Sequence, residues 1–139
     1  MKIYPKDVAG KVRCWAKEAA GDVPCDVVIA CREYETWFLA AVESLRGKYG
    51  IGLDAVVPED PESKRDAKGV LEEFMPPDRA YSETGDQPGM SNAFDMGLAY
   101  RRNRSFRKFV KTIGDILAQM NLAMQPWPPT QWRHGGSAP

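Results

Sequence analysis

The stretch from Cys25 to Leu45, CDVVIACREYETWFLAAVESL, limits the possible folds more than any other part of the sequence. Residues 25–31 are a mostly β-branched apolar run without regular polar alternation, which is how a strand covered on both faces reads in a parallel sheet. The run stops at Arg32, two glutamates follow at Glu33 and Glu35, and a second apolar block begins at Trp37. Trp37, Phe38, Ala41 and Leu45 recur at helical spacing, and Gly47 supplies a stop. A helix directly after a buried strand is half of a βαβ unit. The expected fold class is therefore α/β, with a short, mostly parallel sheet flanked by helices.

The remaining sequence is punctuated as helices and turns. Val8, Val12, Trp15 and Ala19 share one face of a helix expected over residues 6–20, closed by Gly21. A short strand is expected at Ala55–Val57. Asp60-Pro61 reads as an N-cap followed by proline at the first helical position, opening a helix that uses Ala67, Val70, Leu71 and Phe74. Ser91 and Ser105 read as caps of two further helices, the last carrying Phe106, Phe109, Val110, Ile113, Leu117 and Met120 as one apolar stripe. The C-terminal half is thus helix-rich. Residues 1–121 are expected to form one domain and residues 122–139 a Pro/Gly-rich tail unsuited to a packed element. Trp127 and Trp132 in that tail are placed either to pack back on the domain or to dock on a partner.

Composition excludes little. The apolar fraction of 43% supports a folded core, and nineteen basic residues balance nineteen acidic ones. Global charge therefore points to neither nucleic acid nor membrane, so any such claim rests on local clusters. The three cysteines, Cys14, Cys25 and Cys31, fit neither a disulfide framework nor a zinc site. No stretch approaches the roughly 18 apolar residues of a membrane helix, and the sequence from Met1 to Lys11 lacks a signal-peptide core. The expected location is cytoplasmic.

Three blocks in order carry a family resemblance: VVIACREYETWFLAAVESL, PEDPESKRDAKGVLEEFM and YSETGDQPGMSNAFDMGLAYRRNRSFRKFV. Together they resemble the RloG-like group, domain-of-unknown-function family 4276, across about Val23 to Val110. The resemblance implies a Toprim-like fold and a bacterial nuclease-related setting associated with phage defence. Toprim enzymes hold divalent metal, Mg²⁺ or Mn²⁺, on a strand-end glutamate and an Asp-x-Asp, because hard cations on carboxylates neutralise a phosphate in transition. This sequence contains no Asp-x-Asp. It resembles the C-terminal portion of such proteins, with nuclease-like activity not expected of it alone.

The candidate catalytic residues are Glu33, Glu35 and Lys68, with Glu33 and Glu35 also as metal ligands. Ligands in open α/β sheets lie beyond the carboxyl ends of the strands, which is where both glutamates fall. The competing reading is first-turn acids favoured by the helix dipole. For Lys68 it is a solvated face paired with neighbouring glutamates, and the resemblance is what singles Lys68 out. Arg101, Arg102, Arg104 and Lys108 belong to the one dense basic run and are the candidate nucleic-acid contacts, against a merely solvated helix face. The alternative function is a non-catalytic interaction module, binding a protein partner or a second copy through an exposed sheet edge.

Overall fold

The computed structural model describes residues 5–135. Its helices are α1 (Pro5–Ala20), α2 (Thr36–Ala40), α3 (Ala67–Glu73), α4 (Gln87–Ala93), α5 (Met96–Arg102), α6 (Arg104–Gln119) and α7 (Thr130–His134), with 3-10 turns at Val42–Leu45 and Pro61–Ser63. The expected α/β, Toprim-like architecture with a mostly parallel sheet is corrected: among the described residues the chain is helical and forms no strand. A strand exists only by pairing. Residues 25–30 belong to no helix or strand, and Cys25 through Ala30 make no backbone–backbone hydrogen bond with any described residue. The second candidate, Ala55–Val57, is loop, with Ala55 buried and Val56 exposed. No sheet edge is therefore present among the described residues, and a segment without backbone pairing stands in its place.

The core is built around α2. Trp37, Phe38, Leu39, Ala40, Ala41 and Val42 are all buried, so this short helix is apolar on every side and lies inside the molecule. It packs against α5, α3 and the Pro61–Ser63 turn. Phe38 meets Phe94 edge-on at 5.5 Å between ring centroids, and Phe94 meets Phe106 at 5.7 Å. Trp37 Nε1 donates to Ser105 Oγ at 2.9 Å, and that hydroxyl donates to Asn103 Oδ1 at 2.8 Å. Trp37 Nε1, Ser105 Oγ and Asn103 Oδ1 thereby gain partners, whereas Asn103 Nδ2 is buried without one.

Helix starts differ from the sequence expectation in a consistent way. Asp60-Pro61 opens only a 3-10 turn, with no side-chain cap bond. α3 starts later, where Asp66 Oδ1 accepts from Gly69 N at 3.0 Å. Asp95 caps α5 and Asn103 caps α6, whereas Ser91 sits inside α4 and Ser105 inside α6. At α3, α5 and α6 an Asp or Asn makes the cap bond, consistent with their standing among the strongest N-cap residues, whereas Asp86 before α4 makes none. No helix is long and apolar enough to cross a membrane among the described residues.

The tail is packed. Trp127 Nε1 donates to the Val110 carbonyl at 2.8 Å, and Trp132 faces Tyr100 at 6.2 Å between centroids. A side-chain carbon at Gly114 would collide with the Trp127 indole, so glycine at that point of α6 is what admits the ring.

Candidate functional site

The polar turn after residues 25–31 is held by three contacts. Glu33 N donates to the Cys31 carbonyl at 2.9 Å, and Thr36 Oγ1 donates to the Glu33 carbonyl at 2.8 Å. Arg32 takes a left-handed backbone with φ 66° and donates from Nε to the Glu62 carbonyl at 3.2 Å. This turn sends the two glutamates to different neighbours. Glu33 accepts from Lys68 N at 3.4 Å, at the start of α3. Glu35 is 2% exposed and accepts from Tyr81 Oη at 2.8 Å and Gln87 Nε2 at 2.9 Å.

Glu35 therefore ties α2 to the loop and helix that follow α3. Burial, and then the hydrogen bond to Glu35, push the Tyr81 hydroxyl well above the ordinary tyrosine range. The hydroxyl thus stays protonated and donating. Lys68 Nζ is ion-paired with Glu83. No group of three or more His, Cys, Asp or Glu side chains among the described residues is placed to hold a metal ion. Glu33 meets the backbone of Lys68, while Glu35 turns to Tyr81 and Gln87 and the Lys68 ammonium to Glu83, contacts that brace the loops around α2 and α3.

The basic run divides by the faces of α5 and α6. Arg102 Nη1 donates to the Ala40 carbonyl at 3.0 Å and to Glu43 at 2.8 Å, closing the end of α2. Arg101 Nη1 donates to the Trp132 carbonyl at 3.3 Å. Arg104 and Lys108 are exposed and make no side-chain hydrogen bond or ion pair among the described residues. Lys108 also lines a cavity of about 560 Å³ with Arg107, Lys111, Arg133, Tyr100 and Trp127. Arg107 and Lys111 belong to the same dense run of the sequence. Arg133, Tyr100 and Trp127 carried no local signal that could have placed them there, because the fold-back of the tail brings them in.

A second groove, about 350 Å³, runs between residues 25–30 and α6. Asp26, Val28 and Ala30 line one wall, and Phe109, Ile113 and Ile116 line the other. The alternate residues Val27 and Ile29 are not in that wall, so the segment has the two-sided alternation of a strand. α1 lies beside it, with Arg13 Nε on Asp26 Oδ1 at 2.6 Å. The apolar stripe of α1 is uncovered: Trp15 is 64% exposed. Comparison with protein families, curated proteins and solved structures finds no match to this chain.

Proposed function

We propose that this chain is a non-catalytic, self-associating module whose docking element is the segment Cys25–Cys31. The observation that carries the reading is that residues 25–30 belong to no helix or strand, turn alternate residues Asp26, Val28 and Ala30 to one groove, and make no backbone–backbone hydrogen bond with described residues. Apart from Val27, whose N–H donates to Asp26 Oδ1 and whose carbonyl accepts from Arg13 Nη2, and Cys31, whose carbonyl accepts from Glu33 N, the backbone groups of this segment are a template for pairing with another chain. A second copy is the partner that fits it best. An antiparallel pair centred on Val28 sets Val27 opposite Ile29 and Asp26 opposite Ala30, so one segment complements itself about a two-fold axis. A chain of zero formal net charge adds no long-range repulsion between copies. A two-stranded ribbon alone is marginal in water, and the uncovered apolar stripe of α1 provides the further area. The lack of an Asp-x-Asp in the sequence agrees with a binding role rather than phosphoryl transfer.

Size-exclusion chromatography with light scattering tests this on the full chain. The wild type is expected to run as a dimer that dissociates on dilution. Val28→Pro removes a backbone donor from the middle of the segment and is expected to run as a folded monomer. A wild type that stays monomeric at high concentration would overturn the proposal.

A further inference from the structure

The cavity between α6 and the returning tail is built from parts far apart in sequence. α6 supplies Arg107, Lys108 and Lys111, α5 supplies Tyr100, and the tail supplies Trp127 and Arg133. Each wall is fixed. Trp127 is anchored by its bond to the Val110 carbonyl and by its fit against Gly114. Arg133 Nη2 donates to the Trp127 carbonyl at 3.0 Å. Arg107 Nη1 donates to the carbonyls of Tyr100 and Arg101 at 3.0 and 3.1 Å, closing the end of α5. The lining carries four cationic side chains against one carboxylate, Asp115, which is paired with Lys111 at 2.6 Å. In a chain whose formal charge sums to zero, this is a local concentration of positive charge.

The cations are not equivalent. Arg107 is engaged by two carbonyls and Lys111 by Asp115. Lys108 makes no side-chain hydrogen bond or ion pair among the described residues, and Arg133 bonds a single carbonyl. These two have donors to give an incoming anion. The rest of the lining includes apolar and aromatic side chains, Tyr100, Trp127, Pro128 and Met124. A simple anion would leave these unused. A planar aromatic group joined to a phosphate would use both kinds of side chain, and the cavity volume lies within the roughly 300–1,000 Å³ of small-ligand sites.

We infer that this cavity binds a nucleoside phosphate unit, its base against Tyr100 and Trp127 and its phosphate held by Lys108 and Arg133. Base–aromatic stacking with flanking cations is the physics of sequence-tolerant single-strand binding. The unit is either a free nucleotide or part of a single strand, and the chemistry at the cavity is the same for both. The site goes beyond the self-association proposed above and is separable from it. It uses Arg107, Lys108, Lys111 and Ala118 of α6, whereas the groove beside residues 25–31 uses Phe109, Thr112, Ile113 and Ile116.

The test is binding to the full chain by fluorescence anisotropy with a labelled oligothymidylate of about 15 nucleotides, and by calorimetry with adenosine monophosphate. Saturable binding of at least one probe is expected, weakening as salt rises. Binding of the monophosphate identifies a nucleotide site, and binding of the oligonucleotide alone identifies a strand site. Lys108→Glu with Arg133→Glu is expected to weaken binding by roughly tenfold or more. Lys11→Glu with Lys17→Glu makes the same charge change on α1 and is expected to leave affinity within about twofold, as its charges lie outside the cavity. Tyr100→Leu keeps an apolar side chain, removes the aromatic face, and is expected to weaken binding with the melting temperature retained. No saturable binding of either probe, or equal losses in the two charge-reversed variants, would overturn the inference.

Discussion

At the scale of single residues, the informative group is Glu35. A buried carboxylate needs donors, and here two neutral ones, Tyr81 Oη and Gln87 Nε2, supply them. Tyr81→Phe removes one donor and leaves the carboxylate under-satisfied, so it is expected to cost about 1–3 kcal/mol in urea unfolding at neutral pH. The same pair sets an alkaline limit. The folded-state pKa of Tyr81 is raised by burial and by its bond to Glu35, so the folded chain holds a proton that the unfolded chain releases. That contribution is fully present below the ordinary tyrosine pKa of about 10 and is lost as pH rises beyond it. Wild-type stability is therefore expected to fall more steeply above about pH 10 than that of Tyr81→Phe. Parallel slopes in the two proteins would contradict the assignment.

At the scale of elements, α6 and the tail make the sharpest case. Gly114 lies inside α6, where alanine ordinarily stabilises a helix by about 1 kcal/mol. Here alanine would push its side-chain carbon into the Trp127 indole. Gly114→Ala is therefore expected to lower the melting temperature despite its better helix propensity, and a raised one would show that the tail is not seated on α6. The elements also mark what the sequence could say. The 3.6-residue periodicity of Val8 to Ala19 and of Phe106 to Met120 is a local signal, and α1 and α6 lie where it puts them. The run at residues 25–31 reads as a strand from its β-branched residues, yet residues 25–30 form no strand. The lack of strand pairing among the described residues was not legible, since pairing is a long-range event that composition does not encode. Glu33 and Glu35 read as a pair from sequence. Their partners, Lys68 N for Glu33 and Tyr81 for Glu35, are distant in sequence and were not legible from it. The basic run at residues 101–111 was plain in the sequence, while its aromatic wall came from the returning tail.

At the scale of the whole molecule, the described chain is a helical body around α2 with one segment without backbone pairing and one amphipathic helix at its side. The core is fully enclosed, with Phe38, Leu39 and Leu45 each 0% exposed. The segment 25–31 and the stripe on α1 are the parts whose sequence asks for partners that the described residues do not supply. Two identical surfaces meeting about a two-fold axis satisfy both at once. In that antiparallel arrangement Cys25 of one copy lies opposite Cys31 of the other, at the separation of cross-strand neighbours. In a paired strand the two thiols of one copy would be six residues and roughly 20 Å apart, too far for a bridge. Oxidation with diamide in a Cys14→Ser background, followed by mass spectrometry of non-reduced peptides, reads this register directly. The account predicts a covalent dimer whose Cys25-containing peptide is joined to the Cys31-containing peptide. A chain that stays monomeric under oxidation, or a dimer joined Cys25 to Cys25, would contradict it.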